Sequence, residues 1–244
     1  MDDIALVRAA NPSPYTLDGT NTWIVGRDPV WVVDPGPDLD EHLDAVAASV
    51  AARGGAGGIA LTHDHPDHAE GVAALRARLG GDAVPVAAMR HPAASLPLGD
   101  GDPAGPLRAV HVPGHAADHV VFVFDERVAF TGDAVLGVGS VFIAPDGGSL
   151  GGYLDGLRRL RAMRLERLLP GHGPVVEDAD AKLDEYIAHR LERERRIVAA
   201  LEAGARTEDE LLAAAWDHIP EGLDLPARWT LRAHLAKLAA DKNV

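Results

Sequence analysis

The chain has no cysteine among its 244 residues. That excludes disulfides and thiolate metal ligands, leaving imidazole and carboxylate as the donors it can offer a metal. Lysine is scarce as well, with only three residues, and Lys plus Arg number 23 against 37 acids, for a formal net charge of -14. A surface so short of cations argues against tight, non-specific binding of nucleic acid, whose backbone is held mainly by Lys and Arg. No apolar run approaches the roughly 18 residues of a membrane span. The start, Met1-Asp2-Asp3, is acidic and lacks the positive segment that opens a signal peptide. Together these absences predict a cytoplasmic protein with no membrane partner. What remains, 47% hydrophobic and 25% charged, is the composition of an ordinary globular protein. The length suffices for one large domain, or for one domain with a small appendage.

The first part of the chain alternates short apolar runs with turns and helices. Thr22-Trp23-Ile24-Val25 and Val30-Trp31-Val32-Val33 flank Gly26-Arg27-Asp28-Pro29 and predict a hairpin. Leu39, Leu43, Val46, Ala47 and Val50 recur at helical spacing over 39–52, and the glycines of 54–58 stop that helix. Ile59-Ala60-Leu61 reads as a short strand, and a helix is expected at about 69–79. Val84-Pro85-Val86 is a weaker strand candidate because of its proline. Leu107 to Val112, Val120 to Phe124 and Val128 to Phe130 predict three strands, the last two joined by a tight turn at Asp125-Glu126-Arg127. A Gly-rich loop spans 137–152, a helix 153–164, and Leu165 to Leu169 suits either a helix end or a strand. From 179 onward the pattern is helical throughout, with a capping box at Thr207 and Glu210 and an amphipathic last helix carrying Leu231, Leu235 and Leu238. A domain boundary is expected near 178.

Two arginine-rich segments interrupt the acidic background: Arg158, Arg159, Arg161, Arg164 and Arg167, then Arg190, Arg193, Arg195 and Arg196. Glu192 and Glu194 interleave with the second, so both read as solvated helix faces rather than phosphate tracks. The C-terminal stretch 207–244 carries Arg228, Arg232, Lys237 and Lys242 against seven acids, which does not suit a DNA-recognition helix.

The most informative stretch is Thr62-His63-Asp64-His65-Pro66-Asp67-His68. It sets three imidazoles and two carboxylates within six positions, directly after an apolar run. Neutral imidazole and carboxylate are the ligands zinc accepts when thiolates are missing. A polar loop merely rich in histidine would give His63 and His65, on one side of an extended segment, no reason to converge. Three more residues share one setting, a tight glycine-containing loop at the end of an apolar strand: His115 after Pro113-Gly114, Asp133 after Thr131-Gly132, and His172 after Pro170-Gly171. Glycine before the ligand lets the backbone turn sharply beside a crowded centre. Strands pointing the same way would bring these ends to one edge of a sheet sandwich.

These residues resemble those of the metallo-β-lactamase superfamily. Its H-x-H-x-D-H motif stands here as His63, His65, Asp67 and His68, and its downstream His, Asp and His match His115, Asp133 and His172 in order. The resemblance implies an α/β fold, an αββα sandwich. It implies that His63, His65 and His115 hold one metal, that Asp67, His68 and His172 hold another, and that Asp133 bridges them. Asp34 matches an early aspartate that orients ligands from behind, and His119 matches a position that is either behind the ligands or substrate-facing. His111, on a strand, reads as a packed core residue as readily as a site residue, and His42, His91, His189, His218 and His234 read as surface or packing residues.

The likeness extends further. Asn11-Pro12-Ser13-Pro14-Tyr15-Thr16-Leu17-Asp18-Gly19-Thr20-Asn21-Thr22, Pro170-Gly171-His172-Gly173-Pro174-Val175 and Tyr186-Ile187-Ala188-His189-Arg190 resemble signatures of the β-lactamase-like protein 2 group. That group has a small helical, winged-helix-like C-terminal domain after the sandwich, implying domains at 1–178 and 179–244. It includes an endoribonuclease acting on single-stranded RNA, and other relatives are thioesterases.

The expected function is a dinuclear zinc hydrolase, in which hydroxide held between the ions and hydrogen-bonded to Asp67 attacks an ester, thioester or phosphodiester. Asp67 and Asp133 are the expected catalytic carboxylates, and the expected cofactors are two zinc ions, with iron or manganese as substitutes. The alternatives are a single-stranded RNA endoribonuclease, a glyoxalase II-like thioesterase and a di-iron redox protein. The expected partner is a small ester or thioester or single-stranded RNA, with DNA disfavoured and a homodimer an open arrangement.

Overall fold

Val30-Trp31-Val32-Val33 is apolar at every position, which suits a strand covered on both faces. The computed structural model, which describes residues 3–143 and 148–241, places this run in the middle of such an arrangement. Residues 144–147, at the centre of the Gly-rich 137–152 loop, lie outside the described residues, as do Met1, Asp2 and Lys242.

The first sheet is built from β1 (Ile4–Arg8), β2 (Asn21–Val25), β3 (Val30–Val33), β4 (Ala56–Ala60), β5 (Val86–Ala88) and β6 (Leu96–Pro97), side by side in that order. Strands β1, β2 and β3 pair antiparallel, and β3 to β6 run parallel. The crossover from β3 to β4 is α1 (Asp40–Ala51). That from β4 to β5 holds α2 (Pro66–Ala69) and α3 (Val72–Leu79). The second sheet comprises β7 (Pro103–Ala104), β8 (Leu107–His111), β9 (Val120–Phe124), β10 (Val128–Gly132) and β11 (Arg167–Pro170), in the order β11-β10-β9-β8-β7. The crossover from β10 to β11, which pair in parallel, carries α4 (Leu150–Ala162). Three helices follow, α5 (Ala179–Glu202), α6 (Glu208–Ala215) and α7 (Asp224–Asp241).

Side-chain alternation along the strands separates three apolar layers. Trp23, Val25, Trp31 and Val33 turn toward the second sheet and meet Phe122, Phe130 and Leu169. Ile24, Val30 and Val32 turn outward onto Leu43, Val46, Val50 and Leu75 of α1 and α3. On the far side, Val121, Val123 and Ala129 pack beneath Leu154, Leu157 and Leu160 of α4 and beneath Leu183 and Tyr186 of α5. The result is the expected αββα sandwich with a helical C-terminal region. A smaller apolar cluster, Ile197, Leu211, Leu212, Ala215, Ala227 and Leu231, ties the end of α5 to α6 and α7.

Several local expectations shift. The helix expected at about 69–79 starts only at Val72, as α3, and the separate turn α2 precedes it; between them lies Gly71, where a Cβ would sit 2.8 Å from a Leu43 methyl carbon. Gly57 and Gly58 belong to β4 rather than to a helix stop. The Trp31 indole lies across Gly58, and a Cβ there would come within 2.6 Å of the ring. Leu165 to Leu169 ends as strand, and α4 begins at Leu150 because the Ser149 hydroxyl accepts the Gly152 N–H at 2.9 Å. Arg190 is not on a solvated face. It is 1% exposed, donates to the Val141 carbonyl and lies over the Tyr153 ring. Among the described residues no helix is long and apolar enough to cross a membrane.

Candidate metal centre

Strands β3, β4, β8, β10 and β11 all point the same way, and the loops at their C-terminal ends meet above the sandwich. They carry Asp34, the His63–His68 run, His115, Asp133 and His172, respectively. Three groups of donor atoms converge there, each with its atoms within 4.8 Å of one another: His63, His65 and His115; His63, His68 and Asp133; and Asp67, His68 and His172. The structure thus brings together all seven residues singled out in the sequence.

The imidazoles are oriented from behind. His115 donates from Nδ1 to the Phe142 carbonyl at 3.1 Å, and His172 Nδ1 lies 3.3 Å from the Gly19 carbonyl. His68 Nδ1 is 2.9 Å from Asp34 Oδ2, and His63 Nδ1 is 3.0 Å from Thr62 Oγ1. In each case Nδ1 is taken, so the proton stands there and Nε2 is free to face the centre. Asp34 organises both ends of this set. Its Oδ1 accepts the Thr62 N–H at 2.8 Å and its Oδ2 the Thr62 hydroxyl at 2.7 Å. Through Thr62 it aims His63, and directly it aims His68.

Two glycines let the loops close in. A Cβ at Gly171 would lie 2.6 Å from His68 Cε1 and 2.9 Å from Asp133 Oδ1. Gly132, at φ +46, has Thr62 Oγ1 and His119 Nε2 where its Cβ would go. The loop bearing His172 is held by Asn21, whose amide donates to the carbonyls of Pro170 at 3.0 Å and Gly173 at 2.9 Å. Trp23 Nε1 also donates to Pro170 O.

The donor set fits divalent cations. His68 Nε2, His172 Nε2 and Asp133 Oδ1 are buried without a hydrogen-bond partner among the described residues, an arrangement that costs free energy unless something fills it. The nitrogens of His63 and His115 stand 3.0 and 2.9 Å from His65 Nδ1, so three imidazole nitrogens face one point. Burial and the neighbouring imidazoles hold His63 well below the usual histidine range, and burial takes His115 down to about 4. Both are therefore neutral, the form that ligates. Burial alone would lower His68, but Asp67, Asp133 and Asp34 overcome it and raise His68 well above its ordinary value. Burial alone would raise Asp133, but His172 and His68 overcome it and hold the carboxyl well below the usual range. This carboxylate-rich half demands positive charge, and in the protein alone a proton on His68 supplies it.

His119 is fully buried behind the centre, where its Nε2 accepts the Asp133 N–H at 3.1 Å, so it positions Asp133 rather than facing substrate. His42 is buried and bonds to Pro35 O and Thr22 Oγ1 at 3.0 Å each, while His111 bonds to Ala117 O at 2.9 Å. Sequence reasoning missed Thr62 as the relay from Asp34 and missed Phe142, whose ring packs on His115 at 4.9 Å. Thr62 directly precedes the histidine run, but Phe142 has no local signal.

Above the centre opens a cleft of about 440 Å³. His115 and Asp133 form its floor, and its walls come from Tyr15, Leu17, Phe142, Trp216 and neighbouring apolar residues. The first arginine segment lies elsewhere and is neutralised. Arg158 pairs with Asp155, Arg159 with Asp100, Arg161 and Arg164 with Asp180, and Arg167 with Glu177.

A four-layer sandwich with a His/Asp cluster at one sheet edge defines a metal-binding hydrolase class, and the Metallo-beta-lactamase superfamily profile matches residues 15–172. The chain belongs to that superfamily. Within it the chain stands close to the β-lactamase-like protein 2 group. It is 29% identical over 255 residues to the Beta-lactamase-like protein 2 homolog of Caenorhabditis elegans, covering 98% of this chain and 85% of that one. It is 33% identical over 258 residues to an Atrochrysone carboxyl ACP thioesterase of Aspergillus chevalieri, covering 99% and 82%. The crystal structure of a Beta-lactamase domain protein from Burkholderia ambifaria shares the fold at TM-score 0.81 and 20% identity, covering 98% and 87%.

Proposed function

We propose that this protein is a dinuclear zinc thioesterase. The observation that carries the reading is the pairing of two converging donor sets with an apolar cleft that opens directly onto them. In this reading His63, His65 and His115 would hold one ion and Asp67, His68 and His172 the other, and Asp133, whose oxygens face His115 and His172, would serve both sets. Two such ions would supply Lewis acidity for an acyl carbonyl and lower the pKa of a water molecule enough to attack it. Asp67 is the most exposed carboxylate of the set, its side chain 29% accessible. Burial would push it up, but His68 and His172 hold it below the usual range, so it stays ionised and accepts a hydrogen bond from the attacking water. Asp133 sets the separation of the two donor sets, and His119 fixes Asp133 through its backbone N–H. A thiolate leaves without protonation, so a thioester asks no general acid of the site.

The apolar cleft walls favour an acyl chain over a nucleotide, and so does the ion-paired state of the Arg158–Arg167 segment. The thioesterase name of the Aspergillus chevalieri relative points the same way. The helices after residue 178 are assigned as a second unit whose task is to wall the cleft, through Trp216 before the α6–α7 turn and Ala227 and Thr230 of α7. The test is hydrolysis of a panel of acyl thioesters by zinc-loaded protein, with Asp133→Ala alongside and metal content measured on both. Turnover by the wild type carrying two ions, with activity and metal lost in the variant, is the expected result. A wild type that holds two ions and hydrolyses no thioester would overturn the reading. Purification with bound iron and a visible colour would replace zinc in it.

A further inference from the structure

Among the described residues lining the cleft, only one is a lysine or arginine. It is Arg193, on the face of α5 turned toward Trp216. Its surroundings differ from those of Arg195 and Arg196 on the same helix. Arg195 pairs with Glu192, and Arg196 with Glu192 and Asp217. Arg190 also lacks a carboxylate partner among the described residues, but it lies outside the cleft lining and donates to the Val141 carbonyl. No carboxylate pairs with Arg193 among the described residues, and its Nε is buried without an acceptor. The nearby Asp217 is already taken by Arg196 at 2.8 Å. The guanidinium lies over the Trp216 ring, 4.0 Å from the centroid, which limits where it can swing.

The guanidinium is half-buried with its Nε dry and unpartnered, so an anion there is favoured, and a guanidinium braced against an aromatic ring is pre-organised for two-point binding of a carboxylate or phosphate. Burial and the charges of Arg190 and Arg196 lower Arg193 to about 10, which still leaves it charged at neutral pH. Apart from Ser140, His218 and Thr230, the polar points of the cleft are the donor-atom floor at His115 and Asp133 and the guanidinium on the wall.

We propose that Arg193, braced by Trp216, is the anion receptor of the cleft. It takes a carboxylate or phosphate carried by the substrate, while the floor takes the scissile acyl group and the apolar walls take the chain between. The assignment of the second point to a substrate rests on the thioesterase reading, whereas the anion site itself does not. The anionic oxygen group has two possible sources, a carboxylate at the far end of the acyl chain or the phosphate of a phosphopantetheine-type carrier arm.

The experiment compares three thioesters in zinc-loaded wild-type, Arg193→Gln and Arg193→Lys protein. They are octanoyl N-acetylcysteamine, the same carrier with an octanoyl chain ending in a carboxylate, and octanoyl phosphopantetheine. The quantity read is the ratio of kcat/KM for each anionic thioester to that for the neutral one. One ratio is expected to exceed unity in the wild type, identifying the source, and to fall by about ten- to a hundred-fold in R193Q, the worth of a charge-assisted hydrogen bond. R193K should retain part of it, since it keeps the charge and loses the fork. A second readout needs no turnover: tryptophan fluorescence during titration with octyl phosphate and octanoate, with octanol as the neutral control. Saturable quenching by an anion in the wild type that is lost in R193Q supports the receptor even where no thioester is hydrolysed. In that outcome the thioesterase reading alone fails. Ratios that are unchanged in R193Q, or quenching that is the same for octanol as for the anions, make Arg193 a structural partner of Trp216 and overturn the proposal.

Discussion

His234 offers the sharpest test of the physical reasoning, because it is distant from the metal ligands in the sequence and its effect has a definite sign. The ring is fully buried on α7, and neither nitrogen has a hydrogen-bond partner among the described residues. Burial, with Arg190, Arg193, Lys237 and His189 around it, takes its pKa from an ordinary 6.5 down to about 3. The Glu194 carboxylate, 3.6 Å from Nδ1, pulls the other way, but Lys237 already holds it at 2.9 Å. Folding therefore expels a proton from His234. The stability it permits is complete above the unfolded pKa of 6.5 and drains away as the pH falls toward 3. At pH 5 the unfolded chain gains about 2 kcal/mol from protonating this one ring, and at pH 8 almost nothing. His234→Leu removes that term and gives up no hydrogen bond. Its stability relative to the wild type should rise by about 2 kcal/mol between pH 8 and pH 5. Urea denaturation of both proteins at pH 8, 6.5 and 5, followed by far-UV circular dichroism, measures the difference, and the metal centre contributes equally to each and cancels. Curves that stay parallel within about 0.5 kcal/mol, the usual limit of additivity, would refute the argument.

Four further outcomes follow from the site and its supports. Asp34→Ala should weaken metal binding by about ten- to a hundred-fold in a chelator competition, since His68 and Thr62 both lose their orienting partner. Gly171→Ala should lower metal content while the circular dichroism spectrum stays native, because the new methyl group collides with His68 and Asp133 rather than with the core. Ser149→Ala should cost about 1 kcal/mol, seen as a drop of about 2–4 °C in Tm, through loss of the cap on α4. Single-stranded RNA should not be retained at about 0.15 M salt, and charge reversal of Arg158 and Arg159 should change nothing, because acids already neutralise both.

The strands and the converging donor residues were legible in the sequence because both are local signals. Apolar runs between turn residues located β2, β3, β8, β9 and β10, and each ligand sat directly after such a run. The shortest strands were not legible. Leu96–Pro97 and Pro103–Ala104 are two residues each, and pairing across the sheet edge alone makes them strands. Ile4–Arg8 alternates weakly and gains its identity from β2. Arg190 and Arg193 read as surface residues because charge patterning registers only neighbours along the helix. It cannot register Val141 or Trp216, which arrive from other segments. Asn21 belonged to a recognisable N-terminal signature, but its task of holding the His172 loop, 149 residues on at Pro170, emerges only in three dimensions.

One long helix runs from the sandwich into the C-terminal helical cluster. At 24 residues, α5 runs about 36 Å without a proline or glycine in it. Its first turns are rooted in the sandwich through Leu183 and Tyr186, and its last turns carry the small cluster around Ile197. Between them it acts as a ruler for the loop that borders the cleft. The Tyr186 hydroxyl accepts the Leu136 N–H and donates to the Gly139 carbonyl, and one turn later Arg190 reaches Val141. Tilting the helical unit would strip these rungs together and disturb the loop whose Phe142 carbonyl steadies His115. Cleft shape and the donor cluster on its floor are thus geared to one another. Selectivity in this scaffold changes most readily by swapping single side chains along α5 and α7, and least readily by moving the helices that carry them.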